Sequence, residues 1–216
     1  MDFQNIQDNL NDSVQSFNDT FLVSGFPLAF YHDYENVKYY EYSNKCIAPL
    51  TFLRQLSSFD ENTIKFPVHF TIEDSKEVLS IHEFKEDIDS FYIPNHIYET
   101  LDTQKLTETG FTLSIKLDTN DFEKATCIVL KPFRSIFYSI PDIVKYLEIH
   151  FRKAYSCLRV GSIVPICFRD HSLDFEILAI NEVTPEDNDK PMVYSIIDTE
   201  IELVVDTPYD TDYKCN

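Results

Sequence analysis

The stretches "IAPLTFLRQL" (residues 47–56) and "YIPNHIYETL" (residues 92–101) are one phrase written twice. Each sets a proline ahead of three apolar residues at helical spacing. Pro49 precedes Phe52, Leu53 and Leu56, and Pro94 precedes Ile97, Tyr98 and Leu101, at a constant offset of 45 residues. Proline suits the first helical turn, where its missing N–H would have no partner anyway. Two short helices are therefore expected, each turning its apolar triplet onto a core. A chain built from two copies of a unit of about 45 residues must fold with two equivalent places for that phrase. The competing explanation is coincidence, because short helices that open on proline are common, and the phrase alone does not choose between them.

The surroundings repeat the same order of elements. Residues 21–42 are dense in Phe and Tyr, which favour strands. "FPVHFTIED" (66–74) alternates Phe66, Val68, Phe70 and Ile72, as a half-buried strand does, with His69 on the solvent side. "KEVLSIHEF" (76–84) is expected to pair with it, and "FTLSIKL" (111–117) alternates again. The order reads strand, short helix, strands, then strand, short helix, strand. "LDTNDFEK" (117–124) is a polar break and the best boundary between two subdomains. Beyond it, "ATCIVLKPF" reads as a strand and residues 139–158 as a helix started by Pro141 and Asp142. That helix carries a stripe of Ile143, Val144, Leu147, Phe151, Ala154 and Tyr155. "SIVPICF" and "DFEILAINEV" read as a hairpin, "TPEDNDKP" as an exposed loop, and "MVYSIIDTEIELVVD" as one or two final strands. The expected division is 1–20 as an N-terminal amphipathic helix, with Phe3, Ile6, Leu10, Val14 and Phe17 on one face, then 21–117 and 118–216. That apolar face either docks on the body of the protein or serves as a groove-binding helix for a partner.

Composition removes several classes. The net charge is −19, from 37 acidic and 18 basic residues. Such a surface repels phosphate backbones and anionic lipid and suits a basic protein partner. No apolar run approaches the ~20 residues needed to cross a bilayer, so no membrane insertion is expected. The acidic, polar start is not a secretory signal, which leaves cytoplasm and nucleus as the expected setting. With glycine only at 25, 110 and 161, neither of the common Gly-rich phosphate loops can form. The cysteines (46, 127, 157, 167 and 215) form no C-x-x-C pair. Cys127 and Cys167 lie in apolar runs and are expected to be buried, reduced thiols.

Catalytic patterns are missing as well. The six histidines are scattered, and "HEFKE" at His82 lacks the second histidine of a zinc-binding helix. Asp118, Asp198 and Asp206 are each followed by threonine, but the third residues are Asn120, Glu200 and Pro208 rather than the glycine an aspartic-protease loop requires. No G-x-S-x-G elbow exists. The expectation is a chain with no catalytic residues, no metal and no cofactor.

Taken together, "FPLAF" (26–30), "KCIAPLTFLRQLSSF" (45–59), "FPVHFTI" (66–72) and "FYIPNHIYETL" (91–101) resemble the N-terminal domain of the ubiquitin fusion degradation protein family, UFD-one type. "LKPFRSIF" (130–137), "SCLRVGSIVPI" (156–166) and the end near "DTPYDTDYK" (206–214) are similar to later segments of that domain. The likeness covers about residues 21–213. It departs at "LSIHEF" (79–84), where the family has Gly-Gly before its strand. It departs again at Asn95-His96, where the family has a Trp, and in a longer helix after Pro141. The resemblance implies a mainly β fold with α+β: a double-psi β-barrel built from two interlocked pseudo-repeats, followed by a smaller α+β subdomain. It also implies a non-catalytic adaptor that binds ubiquitin and polyubiquitin chains. With the nuclear protein localisation four homologue, such an adaptor delivers ubiquitylated substrates to the cell-division-cycle AAA+ ATPase for unfolding and proteasomal degradation, including degradation from the endoplasmic reticulum. The family's ATPase-binding and partner-binding peptides lie C-terminal to the domain, outside these residues. Two alternatives stand beside it: a double-psi-barrel enzyme of acid protease or decarboxylase type, and a structural adaptor with no ubiquitin affinity. The ubiquitin-contacting residues are not legible; Tyr39 and Tyr40 are candidates only as surface aromatics.

Overall fold

The computed structural model describes residues 20–59, 64–73, 75–102, 111–169, 171–187 and 192–214. The expected N-terminal helix (residues 1–20) lies, except for Thr20, outside them. Six strands close into a barrel: β1 (Thr20–Pro27), β2 (Lys45–Pro49), β3 (His69–Ile72), β4 (Val78–Lys85), β5 (Phe91–Ile93) and β6 (Thr112–Asp118). The ring runs β1-β5-β2-β4-β3-β6. β1 is parallel to β5 and β2 to β4, while β1/β6, β2/β5, β3/β4 and β3/β6 are antiparallel. Exchanging β1 with β4, β2 with β5 and β3 with β6 returns the same ring with the same strand senses. The barrel therefore has an internal two-fold pattern. The twin phrases sit at equivalent points, β2 running through Pro49 into one short helix and β5 through Pro94 into the other.

The prolines do not occupy the first helical position. Between α1 (Tyr34–Val37) and α4 (Ile143–Ala154) come α2 (Leu50–Leu56) and α3 (Asn95–Tyr98), and Pro49 and Pro94 are the N-cap residues of these two, with extended backbone (φ −70, ψ 144 and φ −50, ψ 136). Each proline thus ends a strand and turns the chain. Helices this short are marginal by themselves and are held by packing. Phe52 and Leu56 are 2% exposed and Leu53 is half-buried; Ile97, Tyr98 and Leu101 are all buried. Phe52 meets Phe91 edge-on at 5.0 Å and Phe21 at 5.2 Å. Burying each such side chain contributes about 1.5–3 kcal/mol.

β3 and β6 alternate as expected, with Phe70, Ile72, Leu113, Ile115 and Leu117 pointing into the barrel. Phe66 does not join that face and is 69% exposed. The strand begins only at His69, after Pro67, which has no N–H to give to a ladder.

The aromatic-rich segment is strand only as far as Pro27; residues 28–42 are short helical turns. Leu28, Tyr31, Val37 and Tyr40 are buried there and Tyr34 half-buried, one residue in every three. That period belongs to a 3₁₀-like path. The turns lie over the outside of β2, where they bury Ile47, while Cys46 and Ala48 face the barrel core.

The polar break separates the barrel from a second lobe. β10 (Ile163–Phe168), β11 (His171–Ile180), β8 (Cys127–Pro132) and β13 (Glu202–Val205) form one sheet in that order. β7 (Glu123–Lys124), β12 (Val193–Ser195) and β9 (Cys157–Arg159) form another. The expected hairpin is β10–β11, and the final segment splits into β12 and β13 in different sheets. α4 stops at Ala154, shorter than expected, because Tyr155 turns extended and the chain enters β9. Leu147, Phe151 and Ala154 bury against the sheet, Ile143 packs at its margin, and Val144 lies outside the stripe at 37% exposed. Asp142 caps the helix from a left-handed backbone position (φ 48), its side chain accepting from Lys145 N.

All four described cysteines are free thiols. Cys46 and Cys157 are the buried ones; Cys127 and Cys167, expected to be buried, are half-buried. Each occupies a position on its strand that faces away from the lobe's core, beside Glu202 and Ser172 respectively.

Candidate binding cleft between the lobes

A buried polar seam holds the two lobes together. Asn44, 5% exposed, donates from Nδ2 to Val78 O of the barrel and to Cys157 O of the second lobe, both at 3.1 Å. Its Oδ1 accepts from Ser156 N at 3.4 Å. Ser162 donates to both oxygens of Glu77 at 2.8 and 2.9 Å. Burial raises the Glu77 carboxyl, opposed by the Ser162 bond and by Arg159. His96 Nδ1 lies 2.9 Å from Glu41 O, and Asn95 N donates to Glu41 Oε2 at 2.6 Å.

Where the seam opens, a cleft of about 590 Å³ lies between the lobes. Lys45 and His82 line its barrel wall, Arg152 and Ser156 the opposite wall, and Asp198 and Glu200 its loop side. Lys124 holds that loop in place by donating to Ile197 O at 2.9 Å and Asp198 O at 3.1 Å, and Thr199 donates to Ala125 O at 3.0 Å. Lys45 reaches across to the Lys153 carbonyl at the end of α4. Burial lowers the Lys45 ammonium, and burial together with Lys45 lowers the His82 imidazole. The cleft thus presents cations on its two walls and carboxylates on its loop side, an arrangement suited to a polar, charge-bearing chain. Among the described residues no group of three His, Cys, Asp or Glu could hold a metal ion.

One pair in the seam has the spacing of a nucleophile and its base. Ser156 Oγ and His69 Nε2 are 3.0 Å apart. Asp118 stands opposite His69 in the β3–β6 register, with its Oδ1 accepting from Asn120 N at 3.0 Å and Asn120 Nδ2 at 2.9 Å. Burial pulls His69 down to about 4, against a smaller opposing effect of Asp118. General base work at neutral pH needs a pKa much nearer to 7.

His69 does not face solvent as the alternation suggests. The Phe122 ring covers it at 5.1 Å, and the second lobe supplies its serine partner. His82, His96 and His150 also gather here: His82 in the cleft, His96 beside Glu41, and His150 beside the backbone of Pro165 and Tyr42. Burial lowers His96 and His150 to about 4. Scattered in sequence, these residues are brought together by the docking of the lobes, and no local motif signals it. Of the two surface tyrosines considered, Tyr39 is 55% exposed, but Tyr40 is 3% exposed, bonded through its hydroxyl to Tyr39 and stacked on His82 at 4.5 Å.

No family model matches the chain, and no curated protein matches it.

Proposed function

We propose that this chain is a non-catalytic protein-binding module of the ubiquitin fusion degradation type: a double-psi β-barrel joined to a smaller α+β lobe that binds ubiquitin and polyubiquitin chains. The observation that carries the reading is the internal two-fold of the barrel. Pro49 and Pro94 mark equivalent strand-to-helix turns in a ring whose strand order and senses survive the exchange of its halves. That architecture, followed by an α+β lobe, is the one the motif series in residues 21–213 implies. The non-catalytic part is supported by the chemistry of the Ser156–His69 pair, whose imidazole is too weak a base near pH 7 and whose serine is 4% exposed.

In this reading the module works with the nuclear protein localisation four homologue and delivers ubiquitylated substrates to the cell-division-cycle AAA+ ATPase in cytosol and nucleus. The acidic surface favours basic partners over nucleic acid or anionic membrane. Isothermal titration of the chain with tetraubiquitin tests the proposal. Saturable binding in the micromolar range is expected, and no heat at millimolar ubiquitin equivalents would sink it.

A further inference from the structure

A row of aromatic side chains crosses the outside of the barrel on the face covered by no second-lobe residue. Phe26 and Tyr92 are side by side in the parallel β1–β5 register, their rings 6.4 Å apart. Their neighbours Gly25, Phe91 and Ile93 face the core, so these two rings point outward. Phe111 extends the row on one side, 5.4 Å from Phe26, and Tyr31 on the other, 5.2 Å from Tyr92. Phe111 is 40% exposed, and Phe30, next to Tyr31, is 73% exposed. Isolated exposed apolar residues need no explanation, but a contiguous aromatic row does.

The rim of this row is acidic. His32 beside Tyr31 pairs with Asp87 at 3.1 Å, and the charges of Asp89 and Asp87 add to burial in raising the Tyr92 hydroxyl. Asp87, Asp33 and Glu83 act on Tyr31 in the same sense, again after burial, opposed by Lys85, which is itself paired with Glu83 at 2.8 Å.

We propose that the Phe26–Phe30–Tyr92–Phe111 row is the docking surface for ubiquitin, entered by a partner face with an apolar centre and a basic rim. This deepens the ubiquitin reading and rests on it. Charge complementarity selects the occupant. Residues 1–19 of the same chain carry an apolar stripe but also Asp2, Asp8, Asp12 and Asp19 with no Lys or Arg, and a second copy of a chain of net charge −19 meets the same repulsion.

Binding of fluorescently labelled ubiquitin to the full chain, measured by anisotropy, tests the inference on three variants. Phe30→Ala with Phe111→Asn removes the two exposed rings; asparagine tolerates the left-handed backbone at 111 (φ 62). Asp87→Lys with Asp89→Lys reverses the rim. Ile136→Ala with Tyr138→Ala, at exposed positions of the second lobe, is the control. The first two pairs are expected to weaken binding about tenfold or more, as central aromatic and complementary charged contacts do. The control should leave binding unchanged, and circular dichroism should show all three folded.

Wild-type binding that survives both row variants within about twofold overturns the surface while leaving the ubiquitin reading intact. No wild-type binding overturns the reading and the surface with it. A several-fold gain on deleting residues 1–19 assigns the row to that segment, and a dimer abolished by Phe30→Ala with Phe111→Asn assigns it to a second copy. Either result overturns the proposal.

Discussion

Replacing Asn44 tests how the lobes are joined. Its amide makes two bonds at 3.1 Å, one to each lobe, and accepts a longer one at 3.4 Å. In Asn44→Ala the two short bonds are lost at about 1 kcal/mol each, and the space left by the side chain adds about 1 kcal/mol, for a total near 3 kcal/mol. The chain has 13 Tyr and no Trp, so urea unfolding is followed by tyrosine fluorescence and far-ultraviolet circular dichroism. With a slope of about 2–3 kcal/mol per molar urea, the midpoint should fall by about 1 M. Asn44→Asp should be worse than alanine, because a buried carboxylate would face the Val78 and Cys157 carbonyls with no proton to donate. An alanine variant within about 0.5 kcal/mol of wild type, or an aspartate variant more stable than alanine, would refute the claim that Asn44 fastens the seam.

Acid should loosen the same seam. His69, His96 and His150 have folded pKa values near 4 against an ordinary 6.5, so between those values the unfolded chain binds more protons and stability falls as pH falls. Each contributes at most about 3 kcal/mol, fully present above pH 6.5, and the raised Glu41 and Glu77 work against the loss. Urea midpoints measured from pH 7 to pH 4 should fall by several kcal/mol equivalents, and His69→Gln should flatten the slope. Gly25→Ala would set a Cβ 2.1 Å from Leu113 Cδ1 in the barrel core, and thermal unfolding should report a loss of about 1–3 kcal/mol. Asp142→Ala should cost about 1 kcal/mol more than Asp142→Gly in urea unfolding, because alanine loses the cap and keeps the left-handed strain while glycine relieves it. With a thiol reagent under native conditions, Cys127 and Cys167 should react ahead of Cys46 and Cys157, whose thiols are buried and raised, the latter to about 12.

The barrel was legible where a single period governed a segment. The alternation at 68–72 and 112–117 and the twin proline phrases placed β3, β6, α2 and α3, and the stripe at 143–154 placed α4. Residues 28–42 misled because aromatic content favours strands, while the burial of 28, 31, 37 and 40 follows a period of three that fits neither strand nor α-helix. Phe66 misled because alternation was extended through Pro67. The seam could not be read at all. Asn44, His69, Glu77, Ser156 and Ser162 come from separate elements and are joined only when two lobes dock, so no spacing along the chain encodes them. The aromatic row is similarly split, between β1, β5 and the residue before β6, and becomes contiguous only when the barrel closes.

The most direct test is a heteronuclear NMR titration of isotope-labelled chain with monoubiquitin. The account predicts shift changes that saturate and cluster on the amides around Phe26, Tyr92 and Phe111, leaving the second-lobe sheet undisturbed. A spectrum unchanged at millimolar ubiquitin, with the domain folded, would contradict it.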